Sequence, residues 1–273
     1  MTDDKRRPVI IPGVTVLYVY AITREAVAPQ GEAIDQSQHF AALPVDGVCA
    51  VYTAVSGEEF SQEVIDRRAG DLEWLGAIGY RHQNVIAELM KSTAVVPLRA
   101  FTMFSSESTL RDYLQQNRDV LTRLLDRLDG EHEWTLRVEF DPQRWSEALV
   151  GRVDSLRTLA AEIESASAGK AFLLRKKLDE ERKRASREAE QQVVADIEAE
   201  VIEKLACDTL AESRLQREGA FPQINVLIDR DEEARLQELH AALLDRYAGD
   251  GVTLAMTGPW PPYSFTGGMR DES

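Results

Sequence analysis

The run Val14-Thr15-Val16-Leu17-Tyr18-Val19-Tyr20-Ala21-Ile22 is β-branched and aromatic, which predicts a strand. Residues 23–44 lack periodicity and carry Pro29, Gly31 and Pro44, so they read as a loop; 48–55 (VCAVYTAV) is a second strand. Ser56 opens Ser-Gly-Glu-Glu, a cap signal for a helix over 58–67. Asp71 then starts a stronger helix, in which Leu72, Leu75, Ile78, Val85, Ile86 and Leu89 recur at helical spacing. The short apolar piece 95–99, with Pro97 at its centre, fits an edge strand. Ser105-Ser106-Glu107 begins a further helix that reaches Leu128, before Gly130. This half reads β-β-α-α-β-α, an α+β domain over residues 1–130.

The second half, residues 131–273, opens on the alternating strand 133–140. Pro142 suits the first turn of the helix that follows, and helical spacing continues through Leu149, Val153, Leu156, Leu159 and Ile163 to the small residues of 165–169. A helical pattern without Pro or Gly then covers about 170–213. Unbroken, it would be about 65 Å long, against a domain about 35 Å across, so it must break or project. Mixed charges dominate 175–190, where only Leu178, Ala185 and Ala189 offer an apolar stripe; that part should be solvated or lie weakly in a helical hairpin. Val193, Ile197, Val201 and Leu205 restore a buried face. Strand 223–229, helix 231–247 ended by Gly249, and strand 252–257 complete a β-α-α-β-α-β order. That order is compatible with a small antiparallel sheet under helices, in the manner of a modified ferredoxin-like fold with a long helical insertion.

Composition narrows the chemistry. The net charge of −15, from 47 acidic and 32 basic side chains, opposes binding to nucleic acid or anionic lipid. No stretch reaches the ~18 apolar residues of a membrane span, and the run after Met1 is broken by Pro12 and Gly13, unlike a signal peptide; the expectation is a cytoplasmic protein. Cys49 and Cys207 stand far apart, outside any CxxC, so neither a disulfide framework nor a zinc site is expected. GxxxxGK[ST], GxGxxG, HExxH and GxSxG are all missing, so no cofactor, metal or catalytic residues are assigned. His82, on the apolar stripe of its helix, is the one histidine around which an unrecognised enzyme site could form, if a concave pocket and an acid accompany it. Trp260, Tyr263 and Phe265 lie among three prolines, either as a lid on the open end of the last sheet or as a rigid aromatic surface for a partner. With Phe172 and Leu178 they are the candidate partner contacts. A coiled-coil scaffold built on 170–213 is the further alternative.

An ordered set of segments resembles the gas vesicle protein F/L family. Leu17 to Ile22 is similar to its opening strand. Asp71-Leu72-Glu73-Trp74-Leu75, His82, Val95-Val96-Pro97-Leu98-Arg99, residues 101–106 (FTMFSS), and Leu128-Asp129-Gly130 through Glu133-Trp134 resemble its central block. Residues 169–175 (GKAFLLR) resemble its Gly-x-x-(Tyr/Phe)-Leu motif, and 258–265 (GPWPPYSF) its C-terminal signature. The chain departs at Arg99-Ala100-Phe101-Thr102, where the family more often has a Phe-Gly pair suited to a tight turn. The resemblance implies two α+β domains, the second modified ferredoxin-like, and a non-enzymatic accessory or minor component of gas vesicle assembly. It also implies binding to the small, very hydrophobic main shell protein, limiting its aggregation during nucleation, alongside other gas vesicle accessory proteins.

Overall fold

The computed structural model describes residues 15–37, 39–212 (backbone alone over 208–212) and 221–267. They form two compact units. The first comprises residues up to Glu133 together with those from Pro259 onward, and the second spans Trp134–Gly258. The second unit is therefore an insertion in the first, and residues 259–267, which the sequence places in the second domain, belong to the first unit.

In the first unit, β1 (Thr15–Thr23) and β3 (Val48–Ser56) form the predicted strands, with the edge strand β2 (Ala41–Val45) beside β3. The short strands β4 (Val96–Pro97) and β5 (Met103–Phe104) pair with β1, giving the order β2-β3-β1-β4 with β5 also on β1. β2 overlaps the end of the predicted loop. Its signal is Asp46-Gly47, which turns the chain with φ of 47° and 89° and brings Val45 opposite Val48. Positive φ at both central residues is the geometry of a two-residue hairpin turn. The first short helix, α1 (Gln62–Arg68), starts later than Ser56 predicts: Ser61 is the cap and accepts from Val64 N, while Ser56 holds the turn before it. α2 (Leu72–Met90) is capped by Asp71 as expected. It buries Ile78, His82, Val85, Ile86 and Leu89 against Tyr18 and Tyr20 of β1 and Val51 and Val55 of β3. Successive strand side chains point to opposite faces. Tyr52 thus meets α3 (Glu107–Arg127) on the other face and donates to Glu107 Oε1 at 2.7 Å.

The turn at 99–102 is made although glycine is missing: Thr102 N donates to Arg99 O at 3.1 Å and Phe101 takes φ 66°. A non-glycine residue there costs on the order of 1–2 kcal/mol. The Phe101 ring offsets it by packing on Trp74 (5.5 Å) and Tyr18 (6.4 Å).

In the second unit β6 (Glu131–Phe140), β7 (Asp208–Glu212), β8 (Gln223–Asp229) and β9 (Val252–Trp260) lie in the order β7-β8-β6-β9. α4 (Pro142–Arg152) starts with Pro142 under an Asp141 cap. A single residue, Val153, separates it from α5 (Asp154–Ser165), so the periodicity runs through a break that it does not reveal. α6 (Ala168–Leu205) has 38 residues, about 57 Å, and ends before the predicted Ser213. Ala206 turns left-handed at φ 49°, and 208–212 pair with β8 as a strand, tertiary pairing overriding the helix preference of Leu210, Ala211 and Glu212. Ser213 itself lies outside the described residues. Val193, Val194, Ile197, Val201 and Leu205 form the expected buried face and meet Leu136, Val226 and the α7 (Glu233–Ala248) residues Leu239 and Leu243. Glu200 accepts from Arg246 of α7 and from Lys204, which together hold its carboxyl down to about 2. Over 175–190 the packing is thinner, as predicted: α5 lies alongside, and Trp145 Nε1 donates to Ser186 Oγ at 3.1 Å.

Gly251 lies where α4 and α7 approach. Its φ is 77°, and an added Cβ would collide with Arg144 Cβ and the Trp145 amide. Gly251→Ala is expected to lower the stability of the second unit by about 3 kcal/mol in urea unfolding. Gly249→Ala, which meets only open space, should change it by less than about 0.5 kcal/mol.

Candidate functional site

His82 falls seven residues after Leu75 and seven before Leu89, and the helix turns it into the first unit, where it is 3% exposed. Its Nε2 is 2.9 Å from the Leu98 carbonyl, which only accepts, so Nε2 carries the proton. Nδ1 is then the acceptor for the Tyr18 hydroxyl at 3.0 Å, and that hydroxyl in turn accepts the Phe101 amide at 3.2 Å. The Tyr263 hydroxyl lies 3.2 Å from Nε2. Tyr20 stacks on the imidazole (5.8 Å, 28°), while Tyr18 meets it edge-on. The Tyr20 hydroxyl donates to Thr53 and accepts the Ile34 amide.

Burial sets the charge state of this cluster. Desolvation pulls the His82 imidazole down to about 4, against the opposing bond to Leu98. Burial likewise raises the Tyr18 and Tyr263 phenols and pushes Tyr20 up to about 12. At neutral pH all four rings are therefore uncharged. The enzyme alternative required a concave pocket holding His82 and an acid. Instead the ring is enclosed, and phenols and a backbone carbonyl occupy its nitrogens. A cleft of 360 Å³ on α2, lined by Gln30, Glu32, Tyr80, Arg81 and Asn84, does not include His82. Among the described residues no group of three His, Cys, Asp or Glu could hold a metal ion.

The C-terminal segment corrects the reading of its aromatic rings as a lid on the last sheet. Glu133, 5% exposed, accepts both the Ser264 amide (3.0 Å) and its hydroxyl (2.6 Å). The segment turns there, with Tyr263 N on Pro261 O and Phe265 N on Pro262 O. Phe265 is buried under the Arg127 guanidinium, 5.7 Å above its ring, and Tyr263 reaches His82. Phe265 is thus buried within the first unit, Tyr263 packs half-buried against its core, and Trp260 at the end of β9 keeps 42% of its surface exposed. Of the helix candidates, Leu178 is buried in the core of the second unit, whereas Phe172 is 69% exposed.

Leu173 (67%), Leu72 (82%) and Tyr80 (70%) are exposed apolar side chains that the sequence did not single out as contacts. Leu72 matches the spacing of the α2 stripe, but it is the first residue of the helix and stays exposed. Leu173 follows Phe172 in the segment with the Gly-x-x-(Tyr/Phe)-Leu pattern, and that adjacency is the signal that could have found it.

The family model described as gas vesicle synthesis protein GvpL/GvpF matches residues 16–267. Gas vesicle protein L of Streptomyces sp. (strain CB03234) is 30% identical over 261 residues, covering 92% of each chain. Gas vesicle protein L2 of Halobacterium salinarum is 29% identical over 262 residues, covering 91% of this chain and 90% of its own. The crystal structure of GvpF from Microcystis aeruginosa superposes with a TM-score of 0.64 at 15% identity, over 92% of this chain and 98% of that one. GvpF from Anabaena sp. PCC7120 gives 0.64 at 16% identity, over 92% and 96%. At such identities these two structures establish the α+β fold.

The buried neutral imidazole makes stability depend on pH. His82 has a folded value of about 4 against an ordinary 6.5, so its contribution is full above 6.5 and is lost as pH falls towards 4. Between pH 7 and pH 5 this one group should cost about 2 kcal/mol. His82→Gln should remove about that much from the difference between unfolding free energies at the two pH values; an unchanged difference would show that His82 does not titrate this way.

Proposed function

This chain belongs to the gas vesicle synthesis protein GvpL/GvpF family, and from that premise we propose that it is a non-enzymatic assembly factor and minor component of gas vesicles. It binds the small, very hydrophobic main shell protein, and limits its aggregation during nucleation, in the cytoplasm and at the growing vesicle, beside other accessory proteins. The observation that carries this reading is the pairing of a −15 charge with large apolar side chains held out to solvent on rigid helices: Phe172 and Leu173 on α6, Leu72 and Tyr80 on α2. Exposed apolar side chains supply contact area for a hydrophobic partner, and the acidic surplus keeps the complex dispersed. No described helix is long and apolar enough to cross a membrane. The coiled-coil scaffold is disfavoured by the use of Val193, Ile197 and Val201 in the unit's own core, which leaves α6 no free seam there. For the second unit, the order β7-β8-β6-β9 supports a ferredoxin-like variant with α4, α5 and α6 between its first two strands.

Co-expression of the tagged chain with the main shell protein tests the proposal. The shell protein is expected to move from the pellet to the soluble fraction and to co-purify with the tag. A shell protein that sediments equally with and without this chain, and is absent from the eluate, contradicts it.

A further inference from the structure

Residues 165–178 hold four cations, Lys170, Arg175, Lys176 and Lys177, and no carboxylate, in a chain whose net charge is −15. All four side chains are exposed, and none has an ion-pair partner among the described residues. Further along the same helix carboxylates are interspersed, and Arg182 pairs with Asp179, Arg184 with Glu181 and Lys204 with Glu200, although Lys183 and Arg187 make no ion pair among the described residues.

Helix geometry places apolar side chains among these free cations. Ala171, Leu174 and Leu178 turn inward at i, i+3 and i+7. At 100° per residue, the direction opposite that stripe falls on Phe172, Lys176 and Leu173, with Arg175 on one flank and Lys170 and Lys177 on the other. Phe172 and Leu173 are 69% and 67% exposed. Neither belongs to the hydrophobic core formed by the described residues of the second unit.

The same stretch lacks local support. Cations near a helix N-terminus oppose the helix dipole, the first turn has no acidic residue, and Ser167 makes no side-chain cap bond. Local rules broken without a compensating gain inside the fold are expected where a partner supplies the compensation.

We infer that the first three turns of α6 are the docking surface for the hydrophobic partner, and that the docked element is an amphipathic helix carrying carboxylates beside an apolar stripe. The inference rests on the shell-binding reading above. Its apolar stripe covers Phe172 and Leu173, and its carboxylates neutralise Lys170, Arg175, Lys176 and Lys177. A membrane surface fits less well, because two apolar anchors are few and the −15 charge repels anionic lipid.

The test uses the full chain co-expressed with the main shell protein, in wild-type form and as two variants: the charge reversal K170E/R175E/K176E/K177E and the apolar exchange F172S/L173S. Circular dichroism melting should leave both near wild type, because every altered side chain is exposed. Each variant should retain about tenfold less shell protein than wild type, and wild-type capture should weaken as salt rises from 0.1 to 0.5 M. Ile202→Ser, at an exposed site near the other end of α6, should capture like wild type. Wild-type capture with undiminished capture by both variants overturns this inference and leaves the functional reading standing. Loss with F172S/L173S alone overturns the acidic character of the partner. If the wild-type chain captures nothing, the functional reading falls first, and this inference with it. Co-sedimentation with phosphatidylcholine–phosphatidylglycerol vesicles, abolished by the charge reversal, would assign the surface to a membrane and overturn the inference too.

Discussion

The first unit is held by hydrogen bonds that only a neutral histidine can make. Tyr18 belongs to the first strand, His82 to the second helix and Tyr263 to the last described turn, and one imidazole ring joins all three. The proton on Nε2 serves the Leu98 carbonyl, and the lone pair on Nδ1 takes the Tyr18 hydroxyl. That hydroxyl in turn holds the Phe101 amide in a left-handed turn built without glycine. An unpaired polar atom buried there would cost about 1–3 kcal/mol, so the cluster is stable only when every member is satisfied.

This joint explains why the chain closes on itself. The insertion of residues 134–258 separates β1 and α2 from the C-terminal segment by more than 120 residues. The Glu133–Ser264 clamp, the Arg127 contact to Phe265 and the Tyr263–His82 bond bring that segment back into the first core. The prolines at 259, 261 and 262 restrict the unfolded chain and lower the entropy lost in returning. The long helix of the inserted unit uses one face for that unit's core and leaves the other exposed.

Much of this was legible from residues alone. The β-branched run of β1, the Asp71 cap, Pro142 at a first helical turn and the buried stripe from Val193 to Leu205 each state their local structure through one physical preference. The features that were missed depend on partners far away in sequence. β2 is five residues long and carries Pro44, so only its Asp46-Gly47 turn announces it. The strand at 208–212 has helix-favouring residues and exists because β8 lies beside it. Phe265 and Leu178 look like surface anchors in sequence, yet Arg127 in one case and the α5–α6 packing in the other bury them. Phe172, a candidate contact in sequence, lies exposed on α6, and Leu173 beside it shares that exposure because Ala171, Leu174 and Leu178 fill the inward positions.

The central claim is that this protein acts by contact through a surface its own fold does not use. Hydrogen–deuterium exchange on the full chain, free and bound to the main shell protein, tests it most directly. The account predicts slowed exchange over the first turns of α6, with the amides around His82 unchanged. Protection confined to the α2 cleft near Arg81, with 168–178 exchanging as in the free chain, would contradict it.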